Sequence, residues 1–253
     1  MHSFPPRRLR DALLLLLLLS LTACVYTRLL EVKNQLAEFD ENFRVRVDGG
    51  HFMLDFLSPV LYDEDFTRLT HLHPSRVVTG QQEDYQWYLD FSPEPPAGQK
   101  SAMNADKIVF CMTFGADHKL RRWDFSPLFL QMAPPAFLEA SIRSLGRGTI
   151  LQSRNQLKVD PENLDTIATT LPDAESILAS LGKPVEISKK DDLDVYVYRF
   201  LADSRAVDPD YESMRQAEAK LYIDPRTKRL AKMSSRFAGL KISIDYLSLI
   251  HIS

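Results

Sequence analysis

Leu171-Pro172-Asp173-Ala174-Glu175-Ser176-Ile177-Leu178-Ala179-Ser180-Leu181-Gly182-Lys183-Pro184 is the stretch that decides the fold class. Asp173–Leu181 reads as a short helix, and the next three residues end it. Gly182 accepts the positive φ of a helix C-cap, and Pro184 forbids continuation because it lacks an N–H and clashes with the preceding turn. The chain beyond is strand-like. Tyr196-Val-Tyr-Arg-Phe200 alternates, and a polar loop leads to Lys220–Ile223 and the turn Asp224–Lys228. Strands are predicted at Arg229–Phe237 and Leu240–Tyr246. A helix ahead of turn-linked antiparallel strands predicts an α+β unit.

The same order occurs upstream. Asp63–His73 is a short helical segment ending at Pro74, followed by the alternating Trp87-Tyr-Leu-Asp-Phe91 and a polar loop, Ser92–Asp106. Strands at Lys107–Phe114 and Leu120–Phe125 are joined by the turn Gly115–Lys119. Phe91 and Phe200 lie 109 residues apart; Pro74 and Pro184, and Leu120 and Leu230, lie 110 apart. Such recurrence marks an internal repeat. Between the copies, Ser126-Pro127 and Pro134-Pro135 are helix-start signals, and Gly146 stands where a C-cap is expected, so a helix is predicted over Pro135–Leu145. The apolar Pro127–Leu138 stretch reads as core between the halves, or as an exposed docking surface.

Ahead of the first copy, Phe43-Arg-Val-Arg-Val47 and His51–Phe56 flank Asp48-Gly49-Gly50, a hairpin turn signal. Leu29, Leu30, Val32, Leu36 and Phe39 fall at helical spacing across Arg28–Phe39. The first residues are of another kind. Arg7, Arg8 and Arg10 precede an unbroken apolar run, Leu13–Leu19, and then Ser20 and Leu21-Thr22-Ala23-Cys24. A basic segment, a short apolar core and small residues at the cut make a secretory signal peptide. The run is about half of the ~20 residues a spanning helix needs. Leu21-Thr22-Ala23-Cys24 resembles the lipobox of bacterial lipoproteins. That resemblance makes Leu21, Thr22 and Ala23 the peptidase recognition residues and Cys24 the acylated mature N-terminus. Val25 follows the cysteine where enteric inner-membrane lipoproteins carry Asp, which implies sorting to the outer membrane, periplasmic face.

Removing residues 1–23 leaves 28 basic against 33 acidic residues, a mildly acidic surface with nothing to suggest nucleic acid. With Cys24 acylated, Cys111 has no intrachain disulfide partner, and its apolar run Ile108–Met112 reads as a buried strand. His71 and His73, with His51 upstream, form the one cluster that hints at a metal. Positions i and i+2 do not share a helical face, however, and no carboxylates complete a site. Asp191-Asp192-Leu193-Asp194 reads as a solvated turn, since the glycine and distal glutamate of a calcium loop are missing. There is no nucleophile elbow and no phosphate-binding glycine loop. The expectation is no enzyme, no cofactor and no metal. The last residues, 247–253, read as an untidy tail outside the fold.

The segment Leu171–Leu178 with Leu181-Gly182-Lys183-Pro184, the Tyr196–Phe200 strand and the Leu221–Ile223 / Leu230–Met233 hairpin resemble the SmpA/OmlA (BamE-like) family of outer-membrane lipoprotein domains. The likeness spans roughly Leu171–Tyr246. The first copy departs from it, with Leu72-His73-Pro74 at the helix end. The resemblance implies a small helix packed on an antiparallel sheet, and a role in envelope assembly or integrity carried by protein contacts. The expected architecture is therefore α+β in two tandem small units, each a helix on a sheet. Residues 1–23 are the signal peptide, 24–42 the lipid attachment and N-terminal helix, 43–133 the first unit, and 134–247 a linker helix with the second. The expected function is binding or scaffolding, with the membrane reached through the N-terminal lipid and an envelope protein as partner. A periplasmic carrier of a lipid or other apolar ligand is the alternative, and a periplasmic hydrolase stands last.

Overall fold

The computed structural model describes residues 27–80, 83–95, 98, 106–151, 156–158, 167, 169–204, 207 and 209–250. Helix α1 covers residues 27–37 and runs into the short α2, Phe39–Asn42. Strands β1 (Phe43–Asp48) and β2 (His51–Phe56) form the hairpin. Gly49 and Gly50 both have positive φ, 56° and 78°, which a two-residue turn matched to the strand twist requires. Then come α3 (Asp63–Thr70), β3 (Arg76–Thr79), β4 (Tyr85–Pro93), β5 (Ile108–Phe114) and β6 (Leu120–Phe125). Helices α4 (Pro127–Leu130) and α5 (Pro135–Leu145) and the small hairpin β7 (Thr149–Leu151) and β8 (Gln156–Lys158) connect to the second half. That half is α6 (Ala174–Leu181), β9 (Glu186–Lys190), β10 (Leu193–Ala202), a 3-10 segment at Pro209–Arg215, β11 (Gln216–Ile223), β12 (Leu230–Phe237), β13 (Leu240–Asp245) and α7 (Tyr246–Leu249).

The element order recurs, and so do its details. Asp63 N–H bonds the His118 carbonyl and Leu120 N–H that of Leu61; Ala174 N–H bonds Lys228 and Leu230 N–H bonds Pro172 in the same pattern. His118 and Lys228 hold matching positive φ, 62° and 58°. The strand register slips at Thr113/Phe114 and again at Tyr222/Ile223.

The halves are nevertheless not two small helix-on-sheet units, and that expectation is corrected. Eleven strands form one curled antiparallel sheet in the order β1-β2-β6-β5-β4-β10-β11-β12-β13, with β3 beside β4 and β9 beside β10. The joint is β4 with β10, where Phe91 faces Ala202 and Pro93 faces Phe200. The physical reason is the end of β4. It runs past β3 and presents free backbone groups that the matching end of β10 satisfies, which leaving two separate sheets would not do. Side chains cross the same joint: Ser92 Oγ donates to Asp203 at 2.9 Å, and the His71 ring stacks on Tyr211 at 3.5 Å between centroids.

One core serves both halves. Phe237 of β12 touches Phe91, Phe110, Phe129 and Phe200, so rings from both halves meet on one side chain. The Pro127–Leu138 stretch is core: Phe129, Met132 and Phe137 are fully buried. Pro134-Pro135 starts α5 as read from sequence, but Gly146 follows it in right-handed helical geometry, φ −59°. Its reason is proximity. A Cβ there would fall 2.5 Å from the Ala37 backbone nitrogen at the end of α1 and nearer still to Leu36. The tail also differs from expectation through Ile250. Leu249 is buried, Ile167 N–H bonds its carbonyl, and the Tyr246 hydroxyl donates to the Met132 carbonyl. Leu249 and Ile250 thus join the core, while Leu247 stays exposed.

Candidate functional site

Two places carry chemistry: the chain just behind the lipobox, and the sheet face turned away from the core. Leu21, Thr22, Ala23 and Cys24 lie outside the described residues. The first described charged side chain, Arg28, forms a bidentate ion pair with Asp65 of α3, its Nε 2.7 Å from Oδ2. Asp65 is 1% exposed and also accepts the Tyr62 N–H, satisfying a free donor at the start of α3. The Arg28 guanidinium lies over the Tyr62 ring at 5.1 Å. A buried carboxylate needs such partners, because removing its charge from water is costly unless it is paired and hydrogen-bonded. The first turn of α1 is thereby held against the folded body. Leu29 and Val32 pack on the core and Leu36 is buried in it. Farther along, Arg143 of α5 bridges Asp40 and Glu139 at 2.8 and 2.9 Å.

Strand alternation sends apolar side chains to the core and polar ones to the other face. In the first half, Asp55 takes Arg46 at 2.8 Å and Arg122 at 2.6 Å, and His51 Nδ1 lies 2.8 Å from Asp124. Cys111 sits on this face between Tyr88 and Asp124, half-buried, and not in the core as its apolar run suggested. Alternation explains the difference, because Ile108, Phe110, Met112 and Phe114 take the core side of β5. Burial raises the Cys111 thiol pKa, which keeps the sulfur protonated and a poor nucleophile.

The histidines do not converge. His71 ends α3 with φ 53° and stacks on Tyr211, while His51 is committed to Asp124 on β6. Among the described residues no group of three or more His, Cys, Asp or Glu could hold a metal ion. His118, which the sequence did not single out, joins Asp63 and Tyr85. Its Nδ1 is 3.0 Å from Asp63 Oδ2, to which the Tyr85 hydroxyl donates at 2.6 Å. Burial and the Asp63 charge push the Tyr85 pKa well up, so it stays a donor that ties β4 to α3. Asp191 and Asp192, both at positive φ, form the β9–β10 turn.

On the second half, one rung crosses four strands: Arg199 faces Glu218, Glu218 faces Arg236, and Arg236 faces Lys241. The next rung carries Lys220 and Ser234, and the one after it Tyr222 and Lys232. A groove of about 780 Å³ opens over these rungs, lined by Glu218, Lys220, Tyr222, Ser234, Arg236 and Lys241, with Lys232 outside it. Its far wall includes Ser213 and Met214 of the 3-10 segment, and Gly239 lies at its end. Gly239 has φ +74°, and a Cβ there would stand 2.9 Å from the Met214 sulfur, so glycine is needed for both reasons. Four cations, Arg199, Lys220, Arg236 and Lys241, line the groove against two carboxylates, Glu94 and Glu218. The sequence shows these charges at outward strand positions, but which of them share a rung depends on register.

No protein-family model, curated protein or solved structure matches the chain.

Proposed function

We propose that the protein is a bacterial lipoprotein, cut behind Ala23 and acylated on Cys24, held at the periplasmic face of the outer membrane, where it binds proteins of envelope assembly or integrity. The short tether supports this most. Four residue steps separate Cys24 from Arg28, at most about 14 Å of extended chain, and Arg28 is clamped on Asp65 of the body. A body held that close works on what lies at the membrane surface. Among the described residues, strands β1 and β13 each pair on one side only and leave backbone groups to which a partner strand can add. Binding of proteins is favoured over carriage because Phe129, Met132 and Phe137 fill the space an apolar cargo needs.

The test is crosslinking in cells, followed by affinity purification from membrane fractions, with Cys24→Ala alongside. Reproducible recovery of envelope proteins with the wild-type chain, lost in Cys24→Ala, is the expected result. A wild-type chain that takes up no radiolabelled palmitate overturns the anchor. Recovery free of protein partners, with lipid co-purifying, overturns the scaffold in favour of the carrier.

A further inference from the structure

We propose that the groove over β10–β13 binds an oxyanion, a phosphate ester or a carboxylate, gripped chiefly by Arg236 and Lys241. The inference stands on geometry and does not depend on lipid attachment. Arg236 and Lys241 face each other directly across β12 and β13. Sheets normally place opposite charges at such positions, since like charges directly opposite are destabilising. The same strand pair follows that rule elsewhere, where Lys232 faces Asp245.

Among the described residues no neighbour compensates the exception. The Arg236 guanidinium and the Lys241 ammonium have no hydrogen-bond or ion-pair partner among the described residues. Glu218, the carboxylate directly opposite Arg236, is taken by Arg199 at 3.5 Å and Lys220 at 3.0 Å, and Glu94 lies farther along, beside Arg199. Nor does the cluster reflect a general basic excess, because the chain carries a net charge of −3. A guanidinium fork beside an ammonium matches the two-oxygen edge of a phosphate or carboxylate. The Ser234 and Tyr222 side chains, which also line the groove, add hydroxyl donors. At about 780 Å³ the groove exceeds one anionic group, so the oxyanion is the charged end of a larger molecule.

The full chain in a zwitterionic detergent is titrated calorimetrically with inorganic phosphate, with citrate, and with the same micelles doped with phosphatidylglycerol. Saturable binding is expected to at least one probe, weakened at least tenfold in Arg236→Gln/Lys241→Gln and unchanged in Lys232→Gln. Binding of free phosphate or citrate identifies a soluble ligand. Binding only to doped micelles identifies a lipid headgroup. The double variant is also expected to melt about 1–3 °C higher, since it relieves like-charge repulsion. Absence of saturable binding to all three probes, or equal binding by the double variant, overturns the proposal.

Discussion

Asp55 illustrates how one carboxylate organises the open face of the first half. Burial pushes its pKa up, but hydrogen bonds from Arg46 and Arg122, with the charges of both guanidiniums, outweigh that and hold it below the usual carboxylate range. A lowered folded-state pKa means that Asp55 stabilises the fold fully above its unfolded value near 4, and that this stability fades as pH falls through the lower folded value. Chemical denaturation followed between pH 6 and pH 2 is expected to show wild-type stability falling below about pH 4, with Asp55→Asn losing about 1 kcal/mol less over that range. At neutral pH the variant is the weaker of the two, since Arg46 and Arg122 then face each other without their shared partner. Identical pH dependence in the two chains sinks the argument.

At the scale of elements, the crossing of α1 over the end of α5 is the most exposed to test. Gly146 sits at φ −59°, a backbone geometry in which alanine costs nothing and propagates a helix better. The close backbone of Leu36 and Ala37 reverses that preference. Gly146→Ala is expected to destabilise the protein by about 1–3 kcal/mol and to speed amide exchange across residues 27–37, read by mass spectrometry. A more stable variant would mean that α1 is not seated as described. The Arg28–Asp65 clamp lies at the other end of α1, so local loosening at Gly146 is expected to weaken the seating of the whole helix.

At the scale of the molecule, a shared sheet and a shared core predict shared stability. Phe237 contacts rings contributed by β4, β5, α4 and β10. Phe237→Ala is expected to cost about 3–5 kcal/mol and to lower the melting of near-ultraviolet signals from Trp87 and Trp123, in the other half, as much as the far-ultraviolet signal. Wild type and variant should each unfold in one transition, because neither half retains a complete core alone. Two resolved transitions, with only the second moved by the variant, would establish independent halves.

Read alone, the sequence specified what depends on near neighbours. The helix at Asp173–Leu181 with its Gly182 and Pro184 stop, the β1–β2 turn at Gly49-Gly50 and the helix behind Pro134-Pro135 are local in cause: dihedral freedom, a missing N–H, an apolar period. The recurrence of elements at a spacing near 110 was visible for the same reason. Tertiary structure alone decided that β4 and β10 join the halves into one sheet, that Gly146 answers to a helix 110 residues earlier, and that Cys111 faces away from the core. It alone set Arg236 opposite Lys241. These are facts of register and crossing between segments far apart in sequence, where a one-residue slip turns every side chain to the other face, and no local propensity encodes that choice.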